Sequence, residues 1–234
     1  MTDFDFEQFK KELLEGVDKT ADAVSNAAHG ASEEVRRFKQ FSEFGRDLAR
    51  SGAVSSHGGN LSESDGKTIW ITRTGAMLGH LLPGDILAVG WEASERDANA
   101  SMELLVHRAL YHALDREAMG AGLAFGRKAI VHAHSLHTTF RSLVDDAIRP
   151  LDSEGQHVLG AEIRVLTPNK TVASEEVAQM MSQIIHDGAR LAVVRAHGPF
   201  AVADSLEEAY RLISCLEYSA QIISLLETTG RKPA

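Results

Sequence analysis

Residues 128–135, with the sequence KAIVHAHS, combine a short β-rich run with two histidines spaced i and i+2. Side chains at i and i+2 of a strand project to the same face, so both imidazoles can reach one ion. The stretch therefore predicts a strand at 128–132 that carries His132 and His134 at its end. In a chain with 11 histidines, such a pair also fits isolated polar residues at a strand end.

A third histidine follows a second β-rich run. Residues 191–195 predict another strand, and His197 comes shortly after it, before Gly198-Pro199. We expect Gly198-Pro199 to form a turn that lifts the imidazole of His197 clear of the sheet. Three neutral imidazoles with an open fourth position form the ligand set of a catalytic zinc ion. The sequence therefore predicts one zinc site formed by His132, His134 and His197.

Segments with strand and helix patterns alternate along the chain. Strands are predicted at 68–72, 86–91, 128–132, around 165 and at 191–195, and helices at 3–28, 32–51, 101–114, 137–147, 174–189 and 204–228. Residues 54–65 are rich in Ser, Gly, His and Asn, which predicts a loop. The alternation, without a G-x-G-x-x-G or P-loop motif, predicts an α/β fold. We expect an N-terminal helical extension, residues 1–30, and one domain, residues 31–234.

The composition restricts the classes of function. The chain has 234 residues with 24 Lys and Arg against 33 Asp and Glu, a formal net charge of -9 that argues against general binding to nucleic acid or anionic membranes. No apolar run approaches the roughly 18 residues of a membrane span, and the acidic N-terminus does not resemble a signal peptide. The single cysteine, Cys215, fits a reducing compartment. We expect a cytoplasmic protein that binds a small anionic substrate in a local pocket.

Five segments resemble motifs of the class II aldolase/adducin family, and they occur in the same order. They are residues 56–62 (SHGGNLS, similar to SGN-x-S), 71–75 (ITRTG, similar to ITPSG), 101–103 (SME, similar to Ser-Ser-Glu), 131–135 (VHAHS, similar to H-x-H-S) and 197–202 (HGPFAV, similar to HG-x-x-x-x-G). The resemblance covers about residues 38–228. An ordered set of this length is more specific than any single motif.

The resemblance implies a three-layer α/β/α sandwich around a largely antiparallel sheet, assembled as a homotetramer with active sites at subunit interfaces. It implies one Zn²⁺ per subunit, bound by His132, His134 and His197. The reaction we expect is that of the family's aldolases, which cleave a ketose 1-phosphate to dihydroxyacetone phosphate and an aldehyde through an enediolate that zinc stabilises. Pentulose-phosphate 4-epimerases, methylthioribulose-phosphate dehydratases and adducin-like interaction modules share the family, so these functions stay open.

The same resemblance implies roles for individual residues. Glu103 corresponds to the family's general acid/base, although a glutamate in the first turn of a helix is also favoured by the helix dipole alone. A group of amides and hydroxyls corresponds to the family's phosphate site. This predicted phosphate cradle consists of Gly59, Asn60, Thr74, Gly75 and Ser101.

Three positions depart from the family motifs and concern the substrate. Arg73 replaces the proline of ITPSG and is either an anion contact or a surface residue. Met102 replaces a hydroxyl residue, and His57 stands where many relatives have Ser or Thr. The tyrosine that some aldolases use as a second proton donor has no evident counterpart. Asp152 lies in the corresponding loop and either replaces that tyrosine or belongs to a solvated turn.

Overall fold

A computed structural model of the chain describes residue 30 and residues 32–230. The chain divides into two compact units, Met1–Gln40 and Phe41–Ala234. In the first unit, residues 32–40 are helical, and in the second unit residues 41–50 form helix α1. The helix predicted at 3–28, and with it the predicted extension, lies outside the described residues.

One mixed sheet of eight strands organises the second unit. The strands are β1 (Asn60–Ser64), β2 (Ile69–Thr72), β3 (Ile86–Val89), β4 (Lys128–His132), β5 (Ala147–Ile148), β6 (Ile163–Leu166), β7 (Leu191–Val194) and β8 (Gly198–Ala203). Their spatial order is β3-β2-β1-β4-β8-β7-β6-β5. Among the described strands, β6 and β7 are parallel and every other neighbouring pair is antiparallel. Strand β4, which the HxH segment predicts, lies near the centre between β1 and β8.

Helices cover both faces of the sheet. They are α2 (Leu104–Gly120), α3 (Leu136–Val144), α4 (Ser153–Leu159), α5 (Glu175–His186) and α6 (Leu206–Thr228). Val131 of β4 belongs to a core cluster with Ile213 of α6, whereas its neighbour Ile130 belongs to a second cluster with Leu110 of α2 and Met181 of α5. Successive side chains of a strand point to opposite faces, so one strand contributes to both cores. This arrangement confirms the predicted α/β class.

Most predicted elements are present with shorter ends. The strands predicted at 68–72, 86–91, 128–132, around 165 and at 191–195 correspond to β2, β3, β4, β6 and β7, and the helices predicted at 174–189 and 204–228 correspond to α5 and α6. The helix predicted at 101–114 starts at Leu104 and continues to Gly120, while the helix predicted at 137–147 ends at Val144. Among the described residues, no helix combines the length and apolar character that a bilayer crossing requires.

The loop prediction for residues 54–65 is wrong for its second half, which forms β1 in the middle of the sheet. All five residues of β1 are buried although four of them are polar. Several of their polar groups find partners inside the protein: the amide of Leu61 donates to Thr72 Oγ1 at 3.2 Å, and Ser62 Oγ lies 2.6 Å from His107 Nδ1. A strand stabilised by internal hydrogen bonds has no hydrophobic alternation for sequence analysis to detect.

The turn expected at Gly198-Pro199 is also wrong, because both residues already belong to β8 and pair with β7. The turn comprises residues 195–197 instead. Its backbone is fixed by a hydrogen bond from the His197 amide to the Val194 carbonyl, at 3.1 Å, and it includes Ala196 at a positive φ of 59°. This tight turn places His197 at the end of the sheet.

Gly198 allows β8 to start close to the end of β4. Its φ is 153°, in a region that favours glycine, and a Cβ at this position would overlap the carbonyl oxygen of Ala133. The Ala133 amide donates to the Pro199 carbonyl at 3.1 Å, so the two chains approach closely just beyond the ladder. A side chain at position 198 would separate them.

We therefore expect Gly198→Ala to lower the free energy of unfolding by about 2 kcal/mol or more, through overlap with the Ala133 carbonyl and backbone strain. Urea denaturation followed by circular dichroism measures the change. Gly126→Ala is the matched control, since a Cβ there would meet nothing within 4 Å. Equal stabilities of the two variants would contradict the role assigned to Gly198.

Candidate metal centre and active site

The three predicted metal ligands converge at one end of the sheet. His132 is the last residue of β4, His134 follows two residues later, and His197 lies in the turn before β8. His132 Nε2 is 3.0 Å from His134 Nε2 and 3.2 Å from His197 Nε2. The pairing of β4 with β8, which sets His132 opposite Phe200, brings the two parts of the sequence together.

The orientation of His132 is fixed by two neighbours in β8. Its Nδ1 lies 3.0 Å from the Pro199 carbonyl oxygen, which only accepts, so Nδ1 carries the proton and donates. Its ring stacks on Phe200 with centroids 3.9 Å apart and planes 13° apart. The unprotonated Nε2 therefore faces His134 and His197. Metal-ligating histidines in proteins are commonly oriented by such a hydrogen bond from the other ring nitrogen.

Burial keeps all three imidazoles in the neutral form that binds metal. Burial is the main cause that lowers the pKa of His132 well below its usual range, with the other two histidines contributing. Burial also lowers the pKa of His134, and it lowers that of His197 to about 4. At neutral pH, three nitrogen lone pairs are therefore available without prior loss of a proton.

Two of the three nitrogen–nitrogen separations are close to those of a tetrahedral metal site. Zinc–nitrogen bonds of about 2.0–2.1 Å in a tetrahedral site separate neighbouring nitrogens by about 3.3 Å. The separations of 3.0 and 3.2 Å from His132 are close to this edge length. The ligand atoms of the three histidines all lie within 4.8 Å of one another. Three protein ligands leave one coordination position for another molecule.

Glu103 lies beside this histidine cluster. It immediately precedes α2, is 4% exposed, and has its Oε1 3.7 Å from His197 Nε2. The Ala173 amide donates to Oε1 at 3.1 Å, whereas Oε2 is buried without a hydrogen-bond partner among the described residues. Burial raises the pKa of the Glu103 carboxyl, and the bond from Ala173 opposes this effect. The carboxyl group is thus buried beside the histidine cluster, with one of its oxygens free of hydrogen bonds among the described residues.

A cavity of about 120 Å³ joins the histidines to the predicted phosphate cradle. Its lining residues, which define the metal-site cavity, are His57, Gly59, Asn60, Arg73, Thr74, Gly75, Ser101, Met102, Glu103, His132, His134, Val172 and His197. Every predicted metal, catalytic and cradle residue is therefore brought together. A larger groove of about 1040 Å³ between α2 and α5 contains none of them.

The groups left for a ligand in the cradle differ from the prediction in detail. The amides of Thr74 and Ser101 already donate to the carbonyls of Asn99 and Thr72, at 3.0 and 3.1 Å. Ser101 Oγ accepts the Glu103 amide at 3.2 Å and keeps its own proton to donate. Asn60 Oδ1 is buried without a partner among the described residues. The amides of Thr74 and Ser101 are therefore not free for a ligand, whereas the Ser101 hydroxyl proton is.

Of the two tentative substrate residues, Arg73 lines the metal-site cavity and Asp152 does not. Asp152 caps the N-terminus of α4: its Oδ1 accepts the Gly155 amide at 2.7 Å, and its Oδ2 accepts the Ser219 hydroxyl at 2.6 Å. Both carboxylate oxygens are therefore engaged in holding α4 against α6. The structure gives Asp152 a structural role, and nothing in its position supports proton transfer.

Two residues of the site, Val172 and Ala173, are not indicated by the sequence. The Ala173 amide that binds Glu103 belongs to a loop with no motif, and Val172 beside it lines the cavity. A backbone donor is independent of the side chain, so residue type does not reveal it. Ala173 adopts a φ of 47°, which is unusual for a residue with a side chain.

His107, which no sequence motif singles out, is another contributor near the site. It is fully buried, and burial lowers its pKa to about 3. Its Nδ1 lies 2.6 Å from Ser62 Oγ, which is 2.7 Å from Tyr111 Oη. Its ring also contacts Phe200 edge-on, with centroids 6.1 Å apart. His107 thus supports the ring on which His132 stacks.

The chain is similar in sequence and fold to known proteins of one family. The model of the Class II Aldolase and Adducin N-terminal domain matches residues 39–224. An L-fuculose phosphate aldolase of Methanocaldococcus jannaschii is 26% identical over 189 residues, which are 80% of this chain and 95% of the relative. A 3-oxo-tetronate 4-phosphate decarboxylase of Escherichia coli K12 is 28% identical over 186 residues, covering 75% of this chain and 80% of the relative. The crystal structure of an L-fuculose-1-phosphate aldolase from Thermus thermophilus has a TM-score of 0.74 and 34% identity, over 86% of this chain and 99% of that one.

We expect His134→Ala to abolish stable metal binding while the protein stays folded. Loss of a ligand should weaken zinc affinity by more than about 100-fold, because even the partners of metal ligands contribute about 10- to 100-fold. Plasma mass spectrometry gives the metal content, and circular dichroism checks the fold. His157→Ala, at an exposed position outside the cavity, is the control. Full metal content in His134→Ala would exclude this site.

The buried neutral histidines also predict a pH dependence of stability. An unfolded histidine takes up a proton as the pH falls below about 6.5, whereas folded His107 does so only near 3. The stability that the neutral form contributes is therefore complete above pH 6.5 and is lost as the pH falls. For chelator-treated protein we expect up to about 1.4 kcal/mol per pH unit from this one histidine.

His107→Gln should reduce this slope, which urea denaturation at several pH values between 4.5 and 7.5 measures. His157→Gln replaces an exposed histidine in the same way and should leave the slope unchanged. A wild-type slope in His107→Gln would contradict the assignment of a neutral, buried imidazole to this position.

Proposed function

Because the chain belongs to the class II aldolase and adducin family, we propose that it is a zinc-dependent aldolase. Its substrate is a ketose 1-phosphate, which it cleaves to dihydroxyacetone phosphate and an aldehyde. One observation carries the proposal: three neutral imidazoles meet a buried carboxyl group, 3.7 Å from His197, in a single cavity. A phosphate-binding surface of hydroxyls and amides adjoins them.

We propose Zn²⁺ as the metal, one ion per subunit, because three nitrogen ligands and an open position suit it. When bound, such an ion supplies Lewis-acid stabilisation of the negative charge that develops beside the substrate carbonyl. His132, His134 and His197 contribute no negative charge, so the positive charge of the ion is not neutralised by its ligands. Ser101 and Thr74 orient the phosphate by donating their hydroxyl protons.

Glu103 is the proposed proton carrier. Burial raises the pKa of its carboxyl group, which favours the protonated form relative to that of an exposed glutamate. Oε1 is held by the Ala173 amide, so Oε2, which lacks a partner, is the atom that exchanges the proton with substrate carbon. Because Oε1 is only 3.7 Å from His197 Nε2, the carboxyl group reaches a substrate bound at the histidine cluster without a large movement.

A second candidate reaction is decarboxylation of a phosphorylated 3-oxo acid, which the relative from Escherichia coli favours. Loss of carbon dioxide beside a carbonyl leaves the same kind of negative charge as carbon–carbon cleavage. The histidines, Glu103 and the phosphate cradle would therefore serve both reactions. The two differ in their products, which makes them separable by experiment.

Incubation of the zinc-loaded protein with L-fuculose 1-phosphate and other ketose 1-phosphates tests the proposal. We expect dihydroxyacetone phosphate to form, detected by coupled reduction with glycerol-phosphate dehydrogenase. Carbon dioxide from a 3-oxo acid phosphate would favour the second candidate. Inversion of a pentulose phosphate without cleavage, release of water with the carbon chain retained, or protein without bound metal would each contradict the aldolase proposal.

We expect Glu103→Gln to keep its metal and to lose turnover by about 100- to 10,000-fold, because the amide cannot exchange a proton. The coupled assay gives turnover, and metal analysis shows whether the site is intact. Glu117→Gln is the matched control. Glu117 lies on α2 outside the metal-site cavity, and its side chain forms an ion pair with Arg190. Wild-type turnover in Glu103→Gln would remove the proton-transfer role.

We also propose a homotetramer and a cytoplasmic location. Helix α3 starts directly after the HxHS segment and exposes three large apolar side chains, Leu136, Phe140 and Leu143, at 69%, 47% and 56%. Exposed apolar side chains clustered on one helix face support a subunit contact beside the metal site. Light scattering on purified protein measures the mass, and a monomer would contradict the tetramer.

A further inference from the structure

We propose that Arg73 is a specificity residue of the metal-site cavity that binds the phosphate group of the substrate. The inference rests on the proposed function only in taking that substrate to be phosphorylated. Arg73 is the only lysine or arginine among the described residues that line the cavity. A guanidinium group beside the cavity favours an anionic ligand, even though one of its edges is paired with a carboxylate.

The side chain of Arg73 is held by internal partners. Its Nε donates to Asp85 Oδ1 at 2.5 Å, and its Nη1 donates to the Thr74 carbonyl at 3.0 Å. Asp85 is itself fixed, because its Oδ2 accepts the Leu82 amide at 2.9 Å and its side chain is 8% exposed. A guanidinium group oriented in advance loses little conformational freedom when it binds a ligand.

Part of the guanidinium group is left free for a ligand. Nη2 has no hydrogen-bond partner among the described residues, and 43% of the Arg73 side chain is exposed. Asp85 occupies only the Nε edge of the group. Phosphate oxygens accept charge-assisted hydrogen bonds from the planar N–H groups of arginine particularly well. Asp85 thus acts as a positioning residue and Arg73 as the anion contact.

The position of Arg73 relative to the cradle supports phosphate as the ligand. Arg73 immediately precedes Thr74, and its backbone forms an isolated bridge with Ala100, the neighbour of Ser101. Arg73, Thr74 and Ser101 therefore line the same cavity from adjacent segments of the backbone. Two neutral donors and one cation are a suitable set for a doubly charged phosphate, because the amides of Thr74 and Ser101 are already engaged.

Calorimetric titration with inorganic phosphate and with dihydroxyacetone phosphate tests the inference on zinc-loaded protein, without any turnover. We expect Arg73→Gln to weaken binding of both ligands by about 10- to 100-fold, through loss of charge-assisted hydrogen bonds. Arg73→Lys keeps the positive charge but loses the planar set of N–H donors, so its phosphate affinity should lie between those of the wild type and Arg73→Gln. Binding of uncharged dihydroxyacetone, followed by ligand-observed NMR, should not change.

Arg149→Gln is the matched control, because Arg149 also forms an ion pair with a carboxylate, Glu162, but lies outside the metal-site cavity. Wild-type phosphate affinity in Arg73→Gln would overturn the inference. An equal loss for dihydroxyacetone, or loss of zinc from the variant, would also overturn it, since Arg73 would then be structural. Arg73-dependent phosphate binding without cleavage of any ketose phosphate would contradict the aldolase proposal and leave the anion contact in place.

Discussion

The hydrogen bond from His132 to the Pro199 carbonyl is the interaction on which the site depends. The same carbonyl also accepts the Ala133 amide, so one oxygen sets both the approach of two strands and the proton position on an imidazole. A typical hydrogen bond contributes about 1 kcal/mol net, but a buried donor left without a partner costs about 1–3 kcal/mol. The neutral tautomer of His132 is thus a consequence of the strand register, and the direction of Nε2 follows from it.

The sequence predicts those parts of the fold that bury apolar side chains periodically. Strand β4 is found at its predicted bounds, because Ala129, Ile130 and Val131 supply both faces of the core. Strand β1 escapes prediction because it lies in the same core with polar side chains, and that of Ser62 bonds side chains 45 and 49 residues away in sequence. Long-range hydrogen bonds leave no local pattern, so only the folded protein reveals them.

The residues of the candidate site also differ in how far the sequence predicts them. The histidines and Glu103 are predictable as side chains in ordered motifs, and they meet in one cavity. The sequence alone does not tell the roles of Arg73 and Asp152 apart, because both are charged residues in turns near the motifs. Their hydrogen-bond partners do: Asp152 uses both carboxylate oxygens to hold α4, whereas Arg73 keeps one nitrogen free. Which polar atoms are already satisfied is a property of packing and is not visible in composition.

The loop that holds Glu103 has an evolutionary consequence. Its contact is a backbone N–H at Ala173, which any residue except proline provides, so the proton carrier does not depend on the identity of the side chain there. The positive φ of 47° is the remaining restriction, and it disfavours bulky and β-branched residues. Within that restriction, a different residue at position 173 changes the surface beside Val172 and keeps the donor to the Glu103 carboxyl group. The lining of the cavity can therefore vary at this point independently of the group that holds the carboxylate.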